Sequence, residues 1–199
     1  MGIDWWLMVE VHRSFLIPKN TNELSKELNF SWVDRLEYDV KVDVAWIQKK
    51  ASQRMDLADF RAVNNWNLAL YKRELMGIRQ SMSVRWVDAL KGWGLFADES
   101  IAEMTCIGEY VGVVKKRDRK KDRDNSYIFE YAIDTYDTGY VIDAERRGNH
   151  TRFINHSDEP NVISRWLIID GLPRIIFFTN RKILPSEELV VDYGPYYWD

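Results

Sequence analysis

A mostly β domain over residues 83–199, preceded by a helical extension over 1–82, is the fold class this sequence predicts. Three observations carry it. After Gly77, short apolar runs rich in Val, Ile, Tyr and Phe alternate with Gly, Asp and Asn, the texture of many small strands joined by turns. Before it, apolar residues recur every three or four positions, as one face of a helix requires. The 199 residues, 46% hydrophobic and 30% charged, suffice for one folded domain with an appendage.

The helical elements come first. "TNELSKEL" offers Thr21 or Asn22 as an N-cap, with Leu24 and Leu28 on one face. Val40, Val44, Ile47, Ala51 and Met55 form a second apolar stripe. Leu57, Phe60, Val63 or Asn64, Trp66 or Asn67, and Leu70 form a third. The strands follow as "VRWV", "GLFA", "CIGEYVGVV", "YIFEYAI", "YVIDA", "RFINH", "WLIID", "RIIFFTN" and "ELVVDY". Each is bounded by turn residues.

Bulk chemistry excludes several function classes. A single cysteine, Cys106, rules out an intrachain disulfide and a cysteine-built zinc site. The N-terminus lacks a basic leader, Trp6 occupies the position where a myristoylation signal needs Ser or Thr, and no apolar run approaches the ~20 residues of a membrane span. No membrane association is expected. Net charge is −3, so direct nucleic-acid binding is disfavoured. The run "KKRDRKKDRD" at 115–124 has seven basic and three acidic residues. It reads first as a solvated loop and second as a patch for an acidic surface.

Three distant stretches carry chemistry. In "KGWGLFA", Gly92 and Gly94 flank Trp93 and let the backbone approach a ligand closely. In "NHTRFINHSDEPN", Arg152 precedes Phe153 and Ile154, and Asn155 and His156 directly follow them, either a strand stopping at an ordinary turn of Asp158, Pro160 and Asn161 or a strand ending in a polar pocket. His12 and His150 do not sit at ligand spacing from His156, so no metal is expected. In "SEELVVDYGPYYWD", Tyr193 precedes Gly194 at a strand end, and Tyr196, Tyr197 and Trp198 add an aromatic cluster.

Taken in order, Gly-x-Gly, "RFINHS" and "EELVVDYG" resemble the motif set of SET-domain protein-lysine methyltransferases, and the intervening "SYIFEY" and "VIDA" runs extend the likeness across 83–199. "GLFADESIAEMTCIGEYVGVVKKR" and "ILPSEELVVDYGPYYW" are most similar to the short members of chlamydia-like bacteria, which would make the protein a bacterial effector. The resemblance implies a β-clip SET fold in which the Asn155–His156 segment is threaded through a loop formed by the C-terminal motif. It implies S-adenosyl-L-methionine as cofactor, bound by Gly92, Trp93, Gly94, Tyr140, Asn155, His156, Tyr193 and Trp198. Tyr193 would be the catalytic tyrosine, aided by Tyr127. Tyr127, Val191 and Tyr193 would line the lysine channel. A valine at 191 leaves the amine room to turn, which implies di- or trimethyllysine as the product.

One departure stands out. Where many nuclear members have a zinc-ligating cysteine after "NHS", this chain has Asp158, so the expectation is that no zinc-bound cap covers the site. The terminal aromatic cluster, the N-terminal helices or a second protomer in a homodimer would have to cover it. Residues 134–199 hold 11 acidic and 7 basic residues, which favours a basic, lysine-rich substrate such as a histone or histone-like protein. The expected location is the cytoplasm, with export into a host cell and its nucleus as the alternative. The rival readings are a catalytically weak SET module that binds basic tails and a nucleic-acid binder acting through 115–123.

Overall fold

The computed structural model describes residues 7–10, 16–19, 25–26, 28–75 and 81–194. The expected caps Thr21 and Asn22, Leu24, and the cluster Tyr196, Tyr197 and Trp198 lie outside these residues. In the N-terminal part, strands β1 (Leu7–Glu10), β2 (Leu16–Lys19), β3 (Ser31–Trp32) and β4 (Glu37–Tyr38) precede helices α1 (Val44–Met55) and α2 (Ala58–Leu75). Short strands are therefore interleaved with the helices where a purely helical extension was expected. The reason is pairing: β1 runs parallel to the strand at Met82–Asp88, β3 to Arg147–Gly148 and β4 to Val113–Lys116.

The remaining elements are β5 (Met82–Asp88), β6 (Gly92–Ala97), β7 (Cys106–Glu109), β8 (Val113–Lys116), a short helix α3 (Arg119–Asp122), β9 (Ile128–Ile133) and β10 (Tyr136–Asp143). Then come β11 (Arg147–Gly148), a 3-10 turn (His150–Phe153), β12 (Asn155–His156), β13 (Val162–Ile169), β14 (Leu172–Thr179) and β15 (Glu188–Val191). Nine strands form one sheet in the order β2-β1-β5-β6-β15-β13-β14-β7, with β12 attached to β15. A four-stranded sheet, β4-β8-β10-β9, and the pair β11-β3 complete the fold. Expected runs differ in two places. "CIGEYVGVV" divides into β7 and β8 around the buried Tyr110 and Val111, and "RFINH" divides into the 3-10 turn and β12.

Local chemistry explains the helices. Asp43 caps α1, its carboxylate accepting the Trp46 N–H at 2.9 Å. The cap starts the helix one turn after Val40, which is 97% exposed, while Ile47 and Ala51 are buried. In α2 the polar alternatives face inward. Asn64 and Asn67 are buried, and Val63 and Trp66 are 56% and 63% exposed. The Asn64 amide accepts the Ile168 N–H at 2.6 Å and donates to the Ile168 carbonyl at 3.2 Å. Asn67 accepts from Arg165 at 2.9 Å. The two Asn64 bonds satisfy the backbone groups of Ile168 in β13, on the side that no neighbouring strand pairs among the described residues. Leu70 packs beside them with Leu167, Ile176 and Phe178.

Two members of the basic run are paired within the chain. Lys115 reaches Asp143 at 2.6 Å and Asp122 at 2.9 Å, and Arg117 pairs with Glu130 and Asp137. Burial works to raise the Asp143 pKa, but hydrogen bonds from Lys115, the Glu145 N–H and Asn125 hold it below the ordinary carboxylate value.

Candidate active site

The site begins at the β5–β6 hairpin. The Asp88 carboxylate accepts the N–H groups of Leu90 and Lys91 at 2.8 and 2.7 Å, closing the turn, and Gly92 takes φ 72°, a conformation glycine adopts without steric cost. Trp93 then lies edge-on to Trp86, ring centroids 5.7 Å apart. A Cβ on Gly94 would fall 2.6 Å from Glu188 Oε1 and 3.2 Å from Asn155 Nδ2. The glycine thus permits the close crossing of β6 with the two chemistry-bearing segments.

That crossing is threaded. β12 runs parallel to β15, with Asn155 opposite Val190 and His156 opposite Val191. The 3-10 turn that delivers β12 is fixed from below. Asn149 accepts the Thr151 N–H at 3.0 Å and donates to the Glu109 carbonyl at 2.9 Å, while His150 Nε2 contacts the Ile107 carbonyl at 2.8 Å. Glu109 itself pairs with Arg174 at 2.9 Å; burial pushes its carboxyl up despite that partner. An apolar pair followed by Asn-His is therefore a buried turn handing its last residues to a parallel strand.

The polar residues meet at the end of that strand. Asn155 Nδ2 donates to the Trp93 carbonyl at 3.2 Å and to Glu188 Oε1 at 2.8 Å. The Tyr193 N–H donates to His156 Nδ1 at 3.2 Å, and the two rings lie 5.5 Å apart. His156 Nε2 faces Asp158 at 3.3 Å. The Tyr193 hydroxyl donates to the Ile154 carbonyl at 2.9 Å. Val191 is 4% exposed beneath this cluster.

Tyr127 belongs to an adjoining aromatic wall. The Arg152 guanidinium sits 3.9 Å from its ring centre and donates to the carbonyls of Ala144 and Glu145. Burial pulls the Arg152 pKa down, and Tyr127 and Tyr110 oppose that shift. The buried Tyr110 hydroxyl donates to the Tyr127 carbonyl at 2.8 Å, and Tyr110 packs on Phe129 and Phe177. Burial, then the charge that Tyr193 would carry if ionised, pushes the Tyr110 phenol well above its ordinary pKa.

The structure thus gathers Trp93, Gly94, Asn155, His156, Val191 and Tyr193, with Tyr127 beside them. Tyr140 is placed elsewhere, which corrects the expected cofactor contact. Its hydroxyl accepts the Asp43 N–H at 3.2 Å and its ring packs edge-on to Trp46 at 6.3 Å, so it seats α1. Trp198 lies outside the described residues. Arg152 was singled out by sequence together with Asn155 and His156; Tyr110 and Glu188 adjoin the site without being singled out. The Tyr inside "GEYVG" and the first Glu before "LVVDY" were the available signals, but nothing in their spacing said they would meet.

Donors, a flat indole and a backbone crossing too close for a Cβ make this a site fitted to a flat, polar ligand at a threaded β junction, the architecture of a SET fold. Residues 92–194 match the SET domain family, and the chain belongs to it. It is similar to the histone-lysine N-methyltransferase set-2 of Caenorhabditis elegans, 35% identical over 73% of this chain and 10% of that protein. The chain thus spans about a tenth of that relative's length. Among solved structures it is similar to KRYPTONITE in complex with mCHH DNA, an H3(1-15) peptide and SAH. The identity is 37% and the TM-score 0.50, over 59% of this chain and 24% of the other. The fold of ATXR5, solved with a histone H3.1 mono-methylated on R26, extends the likeness to 88% of this chain and 86% of that one, at 21% identity and TM-score 0.62.

Proposed function

We propose that this chain is a protein-lysine N-methyltransferase using S-adenosyl-L-methionine. The observation that carries the reading is the meeting of Trp93, Asn155, His156 and Tyr193 at the threaded crossing of β12 and β15. SAH in the KRYPTONITE complex is the demethylated form of that cofactor and supports the choice. When bound, S-adenosylmethionine supplies a methyl group already activated by a sulfonium charge. Trp93, Asn155 and His156 are the residues that would hold it, with Arg152 at the pocket wall.

The chain's own task is alignment and exclusion of water. A free lysine amine has a pKa near ~10.4 and is protonated at neutral pH. A dry channel walled by Tyr110, Tyr127 and Tyr193 disfavours the ammonium form by desolvation. The same rings accept a methylated ammonium through cation–π attraction. Held by its bond to the Ile154 carbonyl, the Tyr193 hydroxyl keeps its oxygen lone pairs for the incoming amine or for weak C–H···O contacts.

The substrate reading is a basic, lysine-rich protein of histone type. The acidic surplus over 134–199 and the histone names and peptides of the relatives support it. The finer placement among short bacterial members, and with it action as an effector in a host nucleus rather than in the cytoplasm, rests on "GLFADESIAEMTCIGEYVGVVKKR" and "ILPSEELVVDYGPYYW" alone.

The test is methylation of purified histones and bacterial basic proteins with labelled cofactor, followed by mass spectrometry, run beside Asn155→Ala. Removing the Asn155 amide should weaken SAH binding by about 1–3 kcal/mol. A folded Asn155→Ala protein with wild-type affinity, or no methylated lysine on any basic substrate, would refute the assignment.

A further inference from the structure

Trp93, Tyr127, Arg152 and Phe153 share a cavity of about 260 Å³ with Leu28 and Asn29. Two residues outside 92–194 thus face the same space as Trp93, one of the proposed cofactor residues, and Arg152 at the pocket wall. Their segment is firmly seated. The Phe30 N–H donates to the Ser25 carbonyl at 2.9 Å and the Asn29 N–H to the Lys26 carbonyl at 3.4 Å. These are the paired bonds of a Schellman helix end. Asn29 takes the left-handed conformation, φ 53°, which Asn tolerates better than most residues.

The reversal leaves Leu28 and Asn29 at the cavity and sends Phe30 inward, where it is 6% exposed. Its ring centre lies 4.5 Å from the Arg152 guanidinium and 5.9 Å, edge-on, from Phe153. Beyond it the Ser31 N–H donates to the Arg146 carbonyl at 2.8 Å and the Val33 N–H to the Gly148 carbonyl at 2.9 Å. Trp32 stacks on His150. Helices α1 and α2 pack elsewhere, against β9, β14, β13 and β7. A single cysteine in these 199 residues rules out a cysteine-built cap from within them.

We propose that residues 28–33 form the outer wall of the cofactor pocket. Leu28 supplies an apolar surface against bound cofactor, and the Asn29 turn places it there. The proposal rests on the methyltransferase reading above. It makes the N-terminal segment, rather than α1 and α2, the cover of the pocket, so cofactor affinity depends on a part of the chain that carries no SET motif. The wall acts by excluding water from one side of the ligand, as buried apolar area does elsewhere.

The test is calorimetric titration with SAH on the full chain, each variant first checked by thermal unfolding without ligand. Leu28→Ala should weaken binding about tenfold, with Leu28→Met within about twofold of wild type. Asn29→Gly should bind like wild type, because glycine accepts the left-handed turn. Asn29→Val should bind more weakly, because a β-branched residue resists it. If Leu28→Ala unfolds at a markedly lower temperature, Leu28→Gln replaces it as the variant that keeps bulk and loses apolarity. Unchanged affinity in the Leu28 variants, with Asn155→Ala impaired, would overturn the wall and leave the methyltransferase reading standing. Tighter binding on truncating Leu28 would make the segment a plug and overturn it too. No SAH binding by the wild type would sink both.

Discussion

Tyr193 is fixed at both ends, by its N–H on His156 and its hydroxyl on Ile154. Tyr193→Phe keeps the ring and loses only the hydroxyl. Turnover should fall by about a hundredfold, the scale of a misplaced reacting group, while SAH affinity stays close to wild type. Near-normal single-turnover rates would remove Tyr193 from the chemistry. Val191 bears on product multiplicity. It is buried in β15 beside the β12 pairing, where a small side chain leaves room for an amine to turn. The wild type should yield di- or trimethyllysine, and Val191→Tyr should shift the product toward monomethyllysine. Overpacking should cost that variant about 1–3 kcal/mol of stability. Intact-peptide mass spectra over a time course with excess cofactor measure the shift. At this scale the sequence was legible in which residues meet, as for Trp93, Asn155, His156 and Tyr193. Tyr140 misled because a motif match says nothing of which way a strand turns its side chains; that depends on α1, whose Trp46 and Asp43 claim the ring and hydroxyl.

Among the elements, α2 departs most from its pattern. Period alone admits Val63 and Trp66 or Asn64 and Asn67 as the inner face, and hydrophobicity argues for the first pair. The open edge of β13 reverses the choice, because an unpaired buried peptide group costs more than an exposed valine. Asn64→Ala leaves the Ile168 N–H and carbonyl without their partner and should cost about 1–3 kcal/mol. That corresponds to a fall of about 2–12 °C in melting temperature, readable by circular dichroism. A melting temperature unchanged within a degree or so would mean the edge finds other partners. The strand runs were legible because alternation and turn residues are local. The short strands β3 and β4 were not, since two residues carry no period and owe their extended form to β11 and β8.

At the scale of the molecule, charge is unevenly arranged. Within the basic run at 115–124, Lys115 and Arg117 are tied to Asp122, Asp143, Glu130 and Asp137, while Lys116, Arg119, Lys120, Lys121 and Arg123 are exposed. The stretch 134–199 holds 11 acidic and 7 basic residues, with Asp137 and Asp143 among the acidic ones already paired to Arg117 and Lys115. Association with a basic tail should therefore be steered electrostatically. The KM for a histone peptide should rise several-fold between about 0.05 and 0.3 M salt, with kcat nearly constant. A salt-independent KM would argue that shape and apolar contacts alone select the substrate. The sequence carried this arrangement only as a count, because pairing between Arg117 and Asp137 depends on a hairpin and on no spacing rule.

The parallel crossing of β12 and β15 also dictates a history. Asn155 meets Trp93 across 62 residues and Glu188 across 33, and Tyr193 returns to Ile154 across 39. Contacts so distant in the chain close slowly, since loop entropy is lost before any contact compensates it. If β15 docks on β6 and β13 before Asn155–His156 is in place, the chain must open again to admit it. The pocket should then be the last part of the molecule to mature. In refolding from denaturant, far-ultraviolet ellipticity should recover well ahead of the ability to bind SAH. A ribosome-bound chain would likewise present its sheets to the cell before it could modify anything.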